Sequence, residues 1–406
     1  MSTRLCISRL AAAFQSSRRR CARPSTLLAA CCLTAITAGG ALAQPQLIIF
    51  DQFGVNTHAL DVNDAGDVIL RLETRPKRTS FIVKADGTIT PLALPSSFTC
   101  KGVTYVTDNV EAVSIDNSGR VAGWSALESI ECAGQPDCLR IIIPTVWDAS
   151  GSPTLYRLEG DDACVPTTNP TRFSRISPNG MPVGLYAGDN PVHAVGPGVF
   201  VFTPKPDGWP GLATISGRNS AGVMVGTVNS ETFFNRPVRW DENAVPTVLW
   251  DEEDPAIAIN EAGDIITSRY LLQGAVRTAI EELLLYPPRD INDVGGIVSE
   301  FTLRLDDTTY HVEDDLFPKG SLYHMADCNA VNNRNWIAGR CFVIADNSQR
   351  YGYVLRTDLG CFKIAPLPAS TFACGNGTAT FSVTPVGPGP FSYQWRRAAT
   401  PEATPE

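Results

Sequence analysis

The sequence predicts an all-β chain: a β-propeller of about seven four-stranded blades, plus a partial immunoglobulin-like β segment at the C-terminus. Three observations predict it. A short turn phrase recurs seven times, its copies lie about 40 residues apart, and a second, aromatic hairpin phrase falls between them. Repetition at such a period marks an array of stacked supersecondary units, and blades of roughly 40 to 50 residues are the propeller version.

The turn phrase is an aliphatic residue, a polar cluster ending in Gly, then a second aliphatic run. It occupies Asp61–Leu70, Ala112–Trp124, Arg175–Gly184, Arg218–Gly226, Ala256–Ile266, Asp290–Val298 and Asn329–Gly339. Asn and Asp bond their own backbone in turns, and Gly adopts positive φ without steric cost. The phrase is therefore a hairpin whose loop is built on a type I turn. Its closing residues are Gly66, Gly119, Gly180, Gly222, Gly263 and Gly295, with Asn335 in the seventh copy. The gaps between them are 53, 61, 42, 41, 32 and 40 residues. The returning strands end in small residues such as Ala122-Gly123 and Val225-Gly226, which suits close packing on a neighbouring sheet.

The second phrase runs from an aromatic or aliphatic strand through a polar turn. Examples are Thr145-Val-Trp-Asp-Ala-Ser-Gly151, Pro237-Val-Arg-Trp-Asp-Glu-Asn243, Phe81–Gly87 and Tyr351–Asp358. Two hairpins per period give four strands per blade. Arg277–Tyr286 mixes helical and strand signals; its place in the period and the Pro287-Pro288 stop favour strand. Long connections at 95–110, 126–144 and 159–172 account for the two wide gaps as loop insertions.

Together the two phrases resemble the HAF-type extracellular repeat proteins of bacteria over roughly residues 50 to 360. The family's His-Ala-Phe triplet is not complete in any copy, and His193-Ala194 comes nearest. The resemblance implies a secreted, propeller-like repeat domain and carries no activity.

Residues 1–43 hold six Arg and no acid, and end Ala41-Leu42-Ala43, so they read as a cleaved secretory signal. The repeat domain then spans 44–365, and a truncated immunoglobulin-like segment and tail span 366–406. That segment's Ala379–Val383 and Tyr393-Gln-Trp395 strands carry the likeness. Removing six positive charges from a net of −9 leaves −15, which speaks against nucleic acid or an anionic membrane as partner. The expected location is secreted or periplasmic, with no membrane insertion after cleavage and a monomeric state.

Eight Cys remain after residue 43, and an even number in an exported chain suggests disulfides. Cys328 and Cys341 flank the seventh turn almost symmetrically, which sets them opposite each other on antiparallel strands. Cys132 with Cys138 brackets a short loop, and Cys100 with Cys164 follows by elimination.

Little chemistry stands out. Asp61–Gly66 begins like a calcium loop but lacks its third ligand and its closing Glu. Ser114–Gly119 nearly matches an Asp-box, with its Gly one place late. His58, His193, His311 and His324 are isolated, and Asp251–Asp254 and Glu313–Asp315 read as solvated turns. No catalytic, metal-binding or cofactor-binding residue is assigned, and no cofactor is expected. The chain reads as a binding or structural module that uses a propeller face for an extracellular protein or glycan. The alternative is a propeller-type hydrolase or lyase acting on polysaccharide, which requires inward-facing acids at the central channel.

Overall fold

Seven blade sheets, antiparallel but for one added strand, follow one another along the chain in the computed structural model. It describes residues 45–357, except 74–78, 101–102, 131–139, 160–170, 187–189, 210, 230–234, 281–285 and 307. Isolated two-residue pairs, Cys31–Cys32 with Arg396–Arg397 and Lys363–Ile364 with Pro385–Val386, are also described. Cys31–Cys32 and Arg396–Arg397 belong to a compact unit of 1–41 and 390–406, separate from the unit of 42–389 that holds the propeller. The signal-peptide and immunoglobulin-like readings otherwise lie outside the described residues.

The inner strands of blades 1 to 7 are Thr57–Val62, Val103–Ile115, Arg172–Ile176, Ala213–Arg218, Ala256–Ile259, Pro288–Ile291 and Tyr323–Val331. Each pairs with the strand that follows its turn phrase, as the repeat predicts. The six turn glycines all have φ between +83° and +90°, and Asn335 takes the same region at +56°. In the first turn, Asn63 N–H donates to the Asp67 carbonyl and Gly66 N–H to the Asn63 carbonyl, both at 3.0 Å. The third-strand Trp147 and Trp240 are fully buried. Their indole N–H groups donate to the Ala93 and Pro204 carbonyls, at 2.9 and 2.6 Å, fixing the connections between blades.

Blade 7 closes the ring. Its inner three strands are Tyr323–Val331, Ile337–Val343 and Asp346–Arg356, and its outer strand is the N-terminal Gln46–Ile49. The Tyr351 phrase thus pairs with the start of the chain instead of turning into a hairpin of its own. Of the ambiguous stretch, 277–279 lie in the strand Val276–Ala279, and 281–285 lie outside the described residues. Two expectations change: among the described residues, the connections at 95–110 and 126–144 are mostly strand. Blade 2 has an inner strand of 13 residues and a fifth strand, Phe98–Cys100, because its ladder runs past the normal blade edge. Blade 3 gains Arg157–Leu158 as a parallel outer strand.

A register shift breaks every inner strand at the third residue before the turn: Leu60, Val113, Ser174, Ser216, Ile257, Arg289 and Asn329. Such a bulge adds one residue to the inner strand and bends it. It also corrects the disulfide expectation. With the extra residue, Cys328 pairs with Gly339 and Cys341 with Met325, so the two are not opposite. Both are buried free thiols, and burial pushes each up to about 12. Cys328 Sγ lies 3.3 Å from the Tyr353 hydroxyl, while Cys341 Sγ faces the Tyr351 carbonyl at 3.5 Å. Cys132, Cys138 and Cys164 lie outside the described residues, and only the backbone of Cys100 is described.

The small residues of the returning strands also serve a different purpose from the one expected. A Cβ on Gly123 would sit 1.9 Å from the Glu111 carbonyl oxygen of the same sheet, and one on Gly339 would sit 2.1 Å from that of Asp327. Here glycine admits the inner strand's own backbone. Gly123→Ala is expected to cost several times the ~1 kcal/mol of an average substitution. Gly263→Ala, with nothing within 4 Å of its Cβ position, is expected to cost only the ~1–2 kcal/mol of its left-handed backbone. Urea denaturation of the two variants checks that order.

Candidate functional site

The seven turn phrases meet at one end of the central axis, around a cavity of about 110 Å³ to which every blade contributes. Its wall carries Asp61, Asp64, Asp116, Glu261, Asp290 and Asp293, together with Arg175, Arg218 and several Asn. Acids therefore do converge on the channel, and the question is what each one does.

Most of them hold the next blade. The first turn Asn of one blade donates its Nδ2 to the matching carbonyl of the next. Asn63 reaches Asp116 at 3.1 Å, Asn219 reaches Asn260 at 3.5 Å and Asn260 reaches Asn292 at 3.1 Å. Asn292 reaches Asn332 at 2.7 Å, and Asn332 reaches Asn63 at 2.8 Å across the closure. The Oδ1 atoms of these residues accept from their own turn, so each amide serves two backbones. The following residue forms a second ring. Its N–H donates to the side chain at the same position of the next blade: Asp64 to Asn117, Ser220 to Glu261, Glu261 to Asp293, Asp293 to Asn333, and Asn333 to Asp64. These bonds measure 2.7–2.9 Å.

Polar bulge residues make a third set. Ser174, Ser216, Arg289 and Asn329 donate to the Ile215, Ala256, Cys328 and Ala59 carbonyls of the next inner strand, at 2.7–3.0 Å. The rings are interrupted at blade 3, whose turn is Ser177-Pro178. Proline has no N–H to give. There Asn179 Nδ2 reaches the Ser220 carbonyl at 3.0 Å. Arg120, bonded to Asp116 at 2.7 Å, lays its guanidinium where a Gly180 side chain would be.

Across the axis, Arg175 of blade 3 pairs with Asp290 of blade 6. The other oxygen of Asp290 accepts the Val331 N–H at 3.1 Å. Asp61 Oδ2 accepts the Ser114 hydroxyl at 2.9 Å and the Ile115 N–H at 3.0 Å. The apparent calcium loop is thus a link to blade 2, and Asp116 of the apparent Asp-box caps its own turn. Two buried acids share one arginine. Burial lifts the Asp290 carboxyl to about 6, with Asp61 adding to the rise and Arg175 opposing it.

A second cluster lies at the other end of the inner strands, where the closure joins blades 7 and 1. His58 Nε2 lies 2.7 Å from Asn329 Nδ2 and 3.7 Å from Asp327 Oδ1. Arg340 Nε donates to Asp327 at 2.9 Å, and Arg71 donates to Glu73 at 2.6 Å and stands 3.9 Å from Glu111. Burial lowers His58; Asp327 is also buried, but His58 and Arg340 outweigh that and hold it well below the usual carboxylate range. Sequence reading takes His58 as isolated, because Asn329 and Asp327 lie some 270 residues away and only the ring closure brings them to it, beside Arg71 of its own blade at 3.4 Å.

The remaining sequence candidates are structural. His193 Nδ1 lies 2.8 Å from the Thr203 hydroxyl, and burial, with Arg218, lowers it to about 4. His324 pairs with Glu313 at 2.7 Å. Asp254, read as part of a solvated turn, is fully buried and accepts the Ser268 hydroxyl at 2.7 Å. Glu313 likewise accepts the Met325 N–H at 2.6 Å beside the π-helical turn Val312–Leu316. No group of three or more His, Cys, Asp or Glu that could hold a metal ion occurs among the described residues.

No protein-family model matches the chain, and no curated protein does. Among solved structures it is similar to a chain of a mitotic checkpoint complex, at 13% identity over 81% of this chain and 98% of that one, with a TM-score of 0.37. It is similar to the extracellular domain of a one-component system from B. thetaiotaomicron at 8% identity and a TM-score of 0.30, covering 77% of this chain and 40% of that one. Virginiamycin B lyase from Staphylococcus aureus follows at 11% identity and 0.29, covering 77% and 99%. None of these likenesses assigns an activity.

The Asp290 carboxyl binds its proton more tightly in the folded chain than at the ordinary value of 3.8. Its contribution to stability is present at low pH and is lost as pH rises from about 4 to about 6. Asp290→Asn is expected to remove that loss, worth roughly 2–3 kcal/mol at ~1.36 kcal/mol per unit. Urea unfolding of both proteins at pH 4 and pH 7 checks this: their difference should change with pH, and a constant difference contradicts it.

Proposed function

We propose that the protein is an exported binding module that takes a protein partner on the face opposite the turn phrases. The observation that carries this is a division of labour between the two ends of the blades. Most amide groups and several acids lining the turn end join neighbouring blades. At the other end Val55, Ile130, Leu212, Leu322 and Ile344 are exposed. Leu322 and Ile344 are neighbours, since the Ile344 N–H donates to the Leu322 carbonyl at 3.0 Å, and Leu322 is 75% exposed. Apolar side chains grouped on one face of a folded chain favour a protein partner. The basic, acid-free leader and the HAF-type likeness support an extracellular or periplasmic setting.

A photo-crosslinking residue at Leu322 or Ile344, in the full chain exported by its own host, is expected to trap a partner of defined mass. The same residue at Glu261, on the turn end, is expected to trap none. Adducts from position 261 alone would reverse the assignment.

The polysaccharide hydrolase or lyase reading draws on the acids that converge on the channel, Asp61, Asp64, Asp116, Glu261, Asp290 and Asp293, and on the pairing of His58 with Asp327 near the closure. It predicts release of reducing or unsaturated ends from a panel of soluble polysaccharides, lost in His58→Ala. The binding-module reading predicts no product from either protein.

A further inference from the structure

Each blade of a propeller ends in an outer strand whose outward N–H and C=O groups could pair with another chain, and folded proteins blunt such edges. The hydrogen-bond registers show how this one does so. In blade 1 the Leu92 N–H bonds inward to Ser80, so residues 89 and 91 face outward, and residue 91 is Pro. In blade 2 the Tyr156 N–H bonds to Pro144, which turns 153 and 155 outward, and residue 153 is Pro. In blade 4 the Leu249 N–H bonds to Pro237, which turns 246 and 248 outward, and residue 246 is Pro. All three prolines occupy positions where an open N–H would otherwise point into solvent.

The other edges use different means. In blade 3 the added strand Arg157–Leu158 covers the edge. In blade 6 the outward N–H of His311 is capped by the Asp315 carboxylate at 2.8 Å. In blade 7 the outer strand is the N-terminal one, and Leu47 and Ile49 are half-buried against the core.

Blade 5 is different. Its outer strand Val276–Ala279 is exposed at all four residues, Val276 by 65%. The Ile280 N–H bonds inward to Arg269, and the ladder pairs Leu271 with Thr278 and Gln273 with Val276. Alternation then turns the N–H and C=O of Arg277 and Ala279 outward. Neither position is a proline, and no added strand or carboxylate cap covers them among the described residues.

We infer that this edge pairs with the same edge of a second copy of the chain, in antiparallel register about a two-fold axis at Thr278. The outward groups permit that register: Arg277 exchanges two hydrogen bonds with Ala279 of the other copy, and the symmetric pair makes two more. Thr278 then faces Thr278, a favourable cross-strand pair, and each Arg277 faces an alanine instead of another arginine. An isologous interface needs this self-complementarity. An edge of four residues gives a weak pair that forms only at high protein concentration.

Sedimentation velocity on the full chain over a wide concentration range is expected to show a monomer–dimer equilibrium. Ala279→Pro removes an outward N–H and leaves the inward bonds of residues 276 and 278, so it should stay monomeric with an unchanged melting temperature. Thr278→Cys should form an intermolecular disulfide under mild oxidation, because facing residues of a non-hydrogen-bonded pair lie about 4.5 Å apart at Cα. A wild type that remains monomeric throughout, a dimer that survives Ala279→Pro, or a Thr278→Cys variant that fails to cross-link would each overturn the inference.

Discussion

The fold depends on one repeated interaction: an asparagine side chain at the start of five of the seven turns donates to the backbone of the next blade. A blade cannot bury both of its faces alone, so its stability lies in the contact with its neighbours. Apolar packing supplies most of the energy and little of the direction. The amide supplies direction, because it bonds its own turn through oxygen and the neighbouring turn through nitrogen. A buried donor or acceptor left without a partner costs more than the bond returns, so each clasp penalises every angle but one. Around a closed ring these penalties act together, and Asn332 bonding the Asn63 carbonyl is where the circuit completes.

Closure concentrates cross-links at the seam of blades 7 and 1. The N-terminal strand completes blade 7, Gly352 N–H bonds the Thr57 hydroxyl at 2.7 Å, and the Trp336 ring lies where a side chain on Gly66 would be. Arg334 and Arg356 approach that indole with centroid distances of 5.1 and 4.6 Å. The His58, Asp327 and Arg340 cluster belongs to the same seam. The seam joins the two ends of the propeller chain, so its contacts cost the most loop entropy to form.

The repeat, the hairpins, the positive-φ glycines and the four-strand blade were legible in the sequence because each is set by residues close together in the chain. The clasps were not. Asn63 announces a turn to any reader, yet its partner Asp116 lies 53 residues on, and nothing local marks that amide as shared. The cysteine pairing failed for a related reason. The turn's register already sets Cys328 one place out of line with Cys341, and the bulges at Asn329 and Ala326 widen the offset, so that Cys328 faces Gly339 and Cys341 faces Met325. A bulge changes no residue type and leaves little trace in composition. Asp254 shows the reverse error: four acids in a row looked solvated, while one of them folds inward to hold Ser268 and Arg269.

The departures from the repeat carry as much structural information as the repeat itself. Seven identical wedges could close equally well after any cyclic shift of pairing, so something must fix which blade meets which. Blade 3 gives up the amide clasp, and Arg120 fills the gap over Gly180. The same blade sends Arg175 across the axis to Asp290, and Asp61 and Asp290 differ from the Ser114, Gly217, Ala258 and Ala330 that hold their place in other blades. Arg218 stands where the other copies have Val or Ile, and its guanidinium finds the Ala194 carbonyl of blade 3 at 2.9 Å. A misplaced blade would leave one of these charges buried without its partner, at a cost of several kcal/mol. The axial charges therefore act as a key to blade order, which gives converging acids at a channel a structural cause that requires no substrate.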